Sequence, residues 1–176
     1  MKVKSNTRQV ALATLFATLI FASKAALPTP IDKAAVVVQA LMLTLGYLIL
    51  GRLGATYVAV VGGLLTALLR PSFAPLTILF ALIYGLLIDY FSSLLRVRSS
   101  KAAIKSGRLV LSVTISTGLV GLLSYYVTVL ALGLLPRNPA LEIIILLSGI
   151  VSGALAGWLA VVIWRRILYR FTLQVR

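Results

Sequence analysis

The side chains that could do chemistry in this 176-residue chain are few and widely spaced. The chain has three acidic residues, Asp32, Asp89 and Glu142, and it contains no histidine and no cysteine. The commonest general base and the usual zinc ligands are therefore absent. The sequence also has no Walker-type phosphate-binding loop. We therefore expect a protein that is not an enzyme, uses no cofactor or metal, and does not itself hydrolyse ATP.

Six polar side chains in or beside apolar segments are candidate ligand-binding groups, because a few convergent polar groups in an apolar pocket are typical of a small-molecule site. They are Gln39, Arg70, Tyr125, Tyr126, Glu142 and Ser148. Adjacent helix residues point about 100° apart, so we expect only one of the two tyrosines to face inward. Other roles stay open: an interfacial aromatic belt for the tyrosines, a helix-start acid for Glu142, and contact with lipid headgroups for Arg70.

Asp89 is the acid predicted deepest within a helix. Ionisable groups inside a membrane are functional candidates by default. The alternative is a structural one, in which Asp89 lies at the interface or pairs with Arg52 or Arg96.

The surroundings of these residues are those of a membrane protein. Hydrophobic residues make up 61% of the chain and charged residues 11%, against about a quarter charged in soluble domains. The predicted fold is a single all-α integral membrane domain, 1–176, with six transmembrane helices and both termini in the cytoplasm. The helices are predicted at about 9–27, 34–50, 55–69, 74–95, 109–135 and 140–168, with a tight turn at 51–54. A re-entrant hairpin is the alternative for the short second and third helices.

The basic residues predict the orientation. Of 17 Lys and Arg, all but Lys24, Lys33, Arg70 and Arg137 fall on one side, which leaves 13 on that side. Excess Lys and Arg mark the cytoplasmic side. We expect the basic loop 96–108 to rest on anionic headgroups there, with contact with a cytoplasmic partner as the alternative. A net charge of +14 would suggest nucleic acid for a soluble protein, but here the membrane explains it and no nucleic-acid partner is expected.

The predicted outer side is distinguished by its prolines. All six prolines fall at predicted outer helix ends, where a residue without an amide hydrogen ends a helix. They either mark ordinary loops or frame an outward-facing cavity, since irregular backbone at membrane depth needs cover from protein or a water-filled cavity.

Small residues recur at four-residue spacing on two helices. Ala13 and Ala17 form such a step on helix 1, and Gly149, Gly153 and Gly157 form a longer strip on helix 6. Strips of this kind allow helices to approach closely. We expect the helix 6 strip to pack inside the bundle, and the helix 1 strip either to do the same or to bind another membrane protein.

These features resemble the substrate-binding S component of energy-coupling factor (ECF) vitamin transporters. The resemblance rests on the size and six spans, on the Ala13–Ala17 step, on the glycine-punctuated segment 45–63, and on the segment 78–95 with Gly85 and Asp89. It covers roughly 10–95, and the second half matches in layout.

The resemblance implies a mechanism and a set of partners. Such a subunit, in the cell (plasma) membrane, captures a vitamin-like ligand from outside and docks through Ala13 and Ala17 on a transmembrane scaffold that carries two ATPase subunits. A cationic vitamin such as thiamine would favour Glu142 with a tyrosine, and an anionic one such as biotin would favour Arg70 or Lys24.

Two other functions remain open at this point. One is a non-transporting membrane scaffold or assembly protein of the MreD type, which needs no pocket. The other is a small secondary transporter driven by protons through Asp89.

Overall fold

A computed structural model of the chain is an all-α bundle, and it describes residues 3–26, 35–69, 71–98, 104–131, 133 and 138–168. The described helices are α1 Val3–Ala26, α2 Ala35–Leu50, α3 Gly54–Ala67, α4 Ala74–Leu94, α5 Ser106–Tyr126 and α6 Pro139–Ile163. A 3-10 turn precedes α4, and π-helical turns extend α5 and α6. The all-α class is confirmed, and each predicted helix is present with shifted ends.

Helix length and apolar character identify a membrane protein. Three segments of the described chain are long and apolar enough to cross a bilayer: Pro71–Leu94, Ser106–Leu130 and Pro139–Arg166. The apolar parts of α1, α2 and α3 are shorter. At 14 residues, α3 is about 21 Å long, against roughly 30 Å for the hydrocarbon core. Six complete crossings therefore stay a prediction.

The distribution of side chains in the bundle suits lipid. Large apolar side chains are exposed around it, with Leu68 at 74% and Leu130 at 71%. Buried positions include polar residues, among them Thr44, Ser92 and Ser112. The last two share a hydrogen bond of 2.7 Å, which joins α4 to α5. An apolar outside with hydrogen-bonded polar groups inside is the arrangement that a hydrocarbon solvent favours.

The helices pack around a ring in the order α1, α3, α4, α5, α6 and α2, and α2 closes the ring against α1 and also packs against α3. Glycines allow α6 to approach α5 closely. A β-carbon added to Gly153 would lie 2.7 Å from the Cα of Thr114, and one added to Gly157 would lie 2.9 Å from the Cα of Val110. The helix 6 glycine strip therefore packs inside the bundle, as predicted.

The tight turn predicted at 51–54 joins α2 to α3. Gly51 has a φ of 93°, which a residue without a side chain adopts readily, and the amide of Gly54 donates to the Gly51 carbonyl at 3.0 Å. Arg98 covers this turn: its guanidinium donates to the Leu48 carbonyl at 2.6 Å and lies 5.9 Å from the Tyr47 ring centroid. Arg108 also contacts protein, because its guanidinium donates to the Leu95 carbonyl at 3.2 Å. Arg96, Arg98 and Arg108 nevertheless all remain exposed.

Candidate ligand-binding cavity

A cavity of about 560 Å³ lies between the helices. Each of the six helices contributes to its wall, from Ile20 on α1 to Gly149 on α6. The lining is largely apolar, with small residues such as Gly62 and Gly121 leaving the space open. Volumes of roughly 300–1,000 Å³ are usual for small-molecule sites, so the cavity has room for a metabolite.

The cavity occupies one end of the bundle. Its lining comes from the second halves of α1, α3 and α5 and from the first halves of α2, α4 and α6, reaching about mid-helix. Because successive helices run in opposite directions, these halves lie at the same end. The exposed basic residues Arg52, Arg96 and Arg165 lie at the other end. The cavity is therefore in the half of the bundle that the charge distribution predicts to be outside.

A hydrogen bond between α4 and α5 forms part of the cavity wall. Tyr84 is buried, and its hydroxyl lies 2.7 Å from the hydroxyl oxygen of Thr117. Thr117 donates its own hydrogen to the Val113 carbonyl at 2.8 Å, so Tyr84 is the donor in the pair. The two groups satisfy each other in an apolar setting, and they fix the separation of the two helices at mid-bundle depth.

Tyr125 ties the end of α5 to the start of α6. Its hydroxyl donates to the Asn138 carbonyl and accepts from the Asn138 amide, both at 3.1 Å. The Asn138 side chain in turn caps α6 by accepting from the Ala140 amide at 3.0 Å. Tyr125 therefore links the end of α5 to the start of α6 at this side of the cavity, and only its remaining surface faces a ligand.

The structure brings three of the six predicted ligand-binding residues together. Gln39, Tyr125 and Ser148 line the cavity. Tyr126 stacks edge-on against Tyr125 with ring centroids 5.7 Å apart and is absent from the lining, which agrees with the expectation that one tyrosine faces inward. Glu142 is also absent from the lining and lies in the first turn of α6, where its charge suits the helix dipole. Arg70 lies outside the described residues.

The predicted docking step on α1 faces the interior. Ala17 is completely buried, Ala13 nearly so, and a β-carbon added to Gly62 on α3 would lie 3.7 Å from the Cα of Ala17. The four-residue spacing therefore allows α1 to approach α3. In this arrangement the docking role assigned to Ala13 and Ala17 has no exposed surface to act through, and the internal-packing interpretation fits instead.

Asp89 is held in a structural contact away from the cavity. One carboxylate oxygen accepts from the Ala55 amide at 3.2 Å, and the other accepts from the Thr56 amide at 2.8 Å and the Thr56 hydroxyl at 2.6 Å. These are the unpaired donors in the first turn of α3, whose own N-cap, Leu53, offers no side-chain acceptor. Asp89 thus caps α3 from α4, and neither Arg52 nor Arg96 is its partner among the described contacts.

Sequence reasoning missed most of the hydroxyl groups in the wall. Thr117, Ser124 and Thr128 on α5 line the cavity, and so does Ser152 on α6. The three α5 residues are spaced by seven and four, which places them on one helix face. That spacing was the available signal. Lys24, named only as an option for an anionic vitamin, lines the cavity as well.

Comparison with protein-family models, with curated proteins and with solved structures finds no match to this chain.

Proposed function

We propose that this protein is the substrate-binding membrane subunit of an ECF-type importer in the cell membrane. It captures a vitamin or related micronutrient from outside and depends on separate scaffold and ATPase subunits for uptake. The observation that carries the proposal is the cavity of about 560 Å³ lined by all six helices. A membrane scaffold of the MreD type has no need of such a space.

Two further observations support a binding role. The cavity lies at the end of the bundle opposite the exposed Arg52, Arg96 and Arg165, which agrees with a site that loads from outside while both termini are inside. Asp89 is absent from the cavity lining and its carboxylate accepts three hydrogen bonds from α3. These contacts favour a structural role for Asp89 over proton coupling.

The partner contact needs a surface other than the Ala13–Ala17 step. Thr14, Leu15 and Thr18 form an exposed strip on the opposite face of α1. This strip supplies a docking face for the scaffold on the same helix, and it leaves the buried alanines to hold α1 against α3.

Filling the cavity tests the proposal. Gly121 lines the cavity, and a β-carbon there would meet its nearest neighbour, Ile145, at an ordinary 3.5 Å. Gly121→Phe therefore adds a large side chain at the cavity wall, at a position where the added β-carbon makes an ordinary contact. Gly107 is the matched control on the same helix, because a β-carbon there meets nothing within 4 Å.

The measurement is thermal stabilisation of the purified protein across a panel of vitamins. A ligand at 100 times its Kd stabilises a protein by about 2.7 kcal/mol. We expect one vitamin to stabilise the wild type and Gly107→Phe, and to have little effect on Gly121→Phe. If no vitamin stabilises the wild type, the scaffold function is favoured. If Gly121→Phe responds as the wild type does, the vitamin does not bind in this cavity, and the observation that carries the proposal is lost.

A further inference from the structure

The hydroxyl groups of α5 that line the cavity already donate hydrogen bonds within the protein. Ser124 donates to the Gly121 carbonyl at 2.8 Å, Thr128 donates to the Ser124 carbonyl at 2.7 Å, and Thr117 donates to Val113. A hydroxyl has one hydrogen to donate and two lone pairs that accept. Toward a ligand these groups therefore offer acceptors, unless a bond to their own helix is broken.

The same holds for the other hydroxyls of the lining that make a hydrogen bond. Tyr84 donates to Thr117 and Tyr125 donates to Asn138. The remaining ones donate to carbonyls of their own helices: Thr66 to Gly62, Thr77 to Phe73 and Ser148 to Ile145. The hydroxyl lining is therefore an accepting surface, which favours N–H and O–H groups on the ligand.

Donors come mainly from the other side of the cavity. Gln39 on α2 makes no side-chain hydrogen bond to any described part of the chain, so its amide offers two N–H donors and one oxygen. Lys24 on α1 is the one charged residue among the described cavity lining. Lys24 already interacts within the protein, but an ammonium has three N–H donors and can serve a ligand as well.

These two sets lie on different walls. Lys24 and Gln39 belong to α1 and α2, which pack against each other, whereas the accepting hydroxyls lie mainly on α5, which packs between α4 and α6. Ser152 on α6 makes no side-chain hydrogen bond within the described residues, so it can donate or accept between the two walls.

Building on the proposed binding function, we infer that the ligand is a small carboxylate with N–H or O–H donors at its other end. Its carboxylate contacts Lys24 and Gln39, and its donors face the oxygens of Ser124 and Thr128. A carboxylate taken out of water needs a cation or N–H donors beside it. Lys24 is the one cation among the described lining residues, which include no acidic residue.

Matched probes test the ligand class. Pantothenate has a carboxylate where panthenol has an alcohol, and biotin has a carboxylate where its methyl ester is uncharged. Thiamine is the cationic probe. We expect an acid to bind the wild type at least about tenfold more tightly than its uncharged counterpart, the range of a hydrogen bond to a charged group. The measurement is the Kd from isothermal titration.

Variants at the donor wall test the assigned contacts. Lys24→Met and Gln39→Glu are expected to reduce the acid-to-neutral affinity ratio toward one, since the first removes a cation and the second adds a repelling charge. Val38→Ala, beside Gln39 but absent from the described lining, is the control and is expected to leave the ratio unchanged. A ratio is diagnostic because a general loss of stability weakens both probes alike.

The outcomes separate this inference from the proposed function. A preference for thiamine, equal binding of acid and neutral probes, or an unchanged ratio in both variants overturns the inference and leaves a binding function in place. If no probe binds, a carboxylate recovered from the purified protein supports the inference, and a cationic or neutral molecule overturns it. If no probe binds and no molecule is recovered, both fail.

Discussion

Replacing Asp89 with asparagine separates a structural carboxylate from a proton carrier. The carboxylate accepts from the Ala55 amide, the Thr56 amide and the Thr56 hydroxyl. An asparagine side chain has one accepting oxygen, so its NH₂ group must face at least one of these donors. Asp89→Asn therefore loses a hydrogen bond to a charged group and the favourable interaction of a negative charge with the start of α3.

The expected loss of stability is large for a nearly isosteric change. A hydrogen bond to a charged group contributes about 1.5–3 kcal/mol, and a charge at a helix start contributes about 0.3–1 kcal/mol. Together these give about 2–4 kcal/mol for Asp89→Asn. The assay is reversible unfolding in mixed micelles, with the free energy of unfolding measured by denaturing-detergent titration.

Glu142→Gln is the matched control, because Glu142 lies in the first turn of α6 and makes no side-chain hydrogen bond within the described residues. It is expected to lose about 0.3–1 kcal/mol, the dipole contribution alone. A double-mutant cycle of Asp89→Asn with Thr56→Val should be non-additive, since the two side chains share a hydrogen bond. If Asp89→Asn were as stable as the wild type while proton-driven uptake was lost, the capping account would be refuted.

Two further predictions concern close helix contacts. Ala17→Trp should destabilise the protein by at least about 1–3 kcal/mol, because the side chain is buried against α3. Thr18→Trp, on the exposed face of α1, should leave stability nearly unchanged. Equal unfolding free energies for the two variants would contradict the burial of Ala17. Gly153→Ala should destabilise by about 1–3 kcal/mol because its β-carbon would lie 2.7 Å from the Cα of Thr114, while Gly107→Ala at an open site should stabilise α5 by about 0.5–1 kcal/mol. The same unfolding titration measures all four, and a stabilising Gly153→Ala would show that α5 and α6 are not in close contact.

Local patterns in the sequence predicted the elements of this fold. Apolar runs placed the six helices, and Gly51 and Gly54 placed the turn between α2 and α3. Pro75 and Pro139 begin α4 and α6, where the missing amide hydrogen has no cost. The glycine strip of α6 gave the contact with α5. Each of these features depends on residues within one helix or one turn.

Features that depend on distant residues were not predictable in the same way. Asp89 caps a helix that begins more than 30 residues earlier, and nothing in its immediate sequence indicates that partner. The alanine step on α1 permits close packing without stating which neighbour approaches, so the docking role and the contact with α3 were equally compatible with it. Gln39, Tyr125 and Ser148 were found because polar groups in apolar helices are conspicuous.

The central claim is that the cavity holds a small molecule. Its most direct test is mass spectrometry of the small molecules released from the purified protein, with wild type, Gly121→Phe and Gly107→Phe produced side by side. We predict that one small carboxylate is recovered in near-stoichiometric amount from the wild type and from Gly107→Phe, and is missing from Gly121→Phe. Recovery of no molecule from the wild type, or of the same molecule in the same amount from Gly121→Phe, would contradict the account.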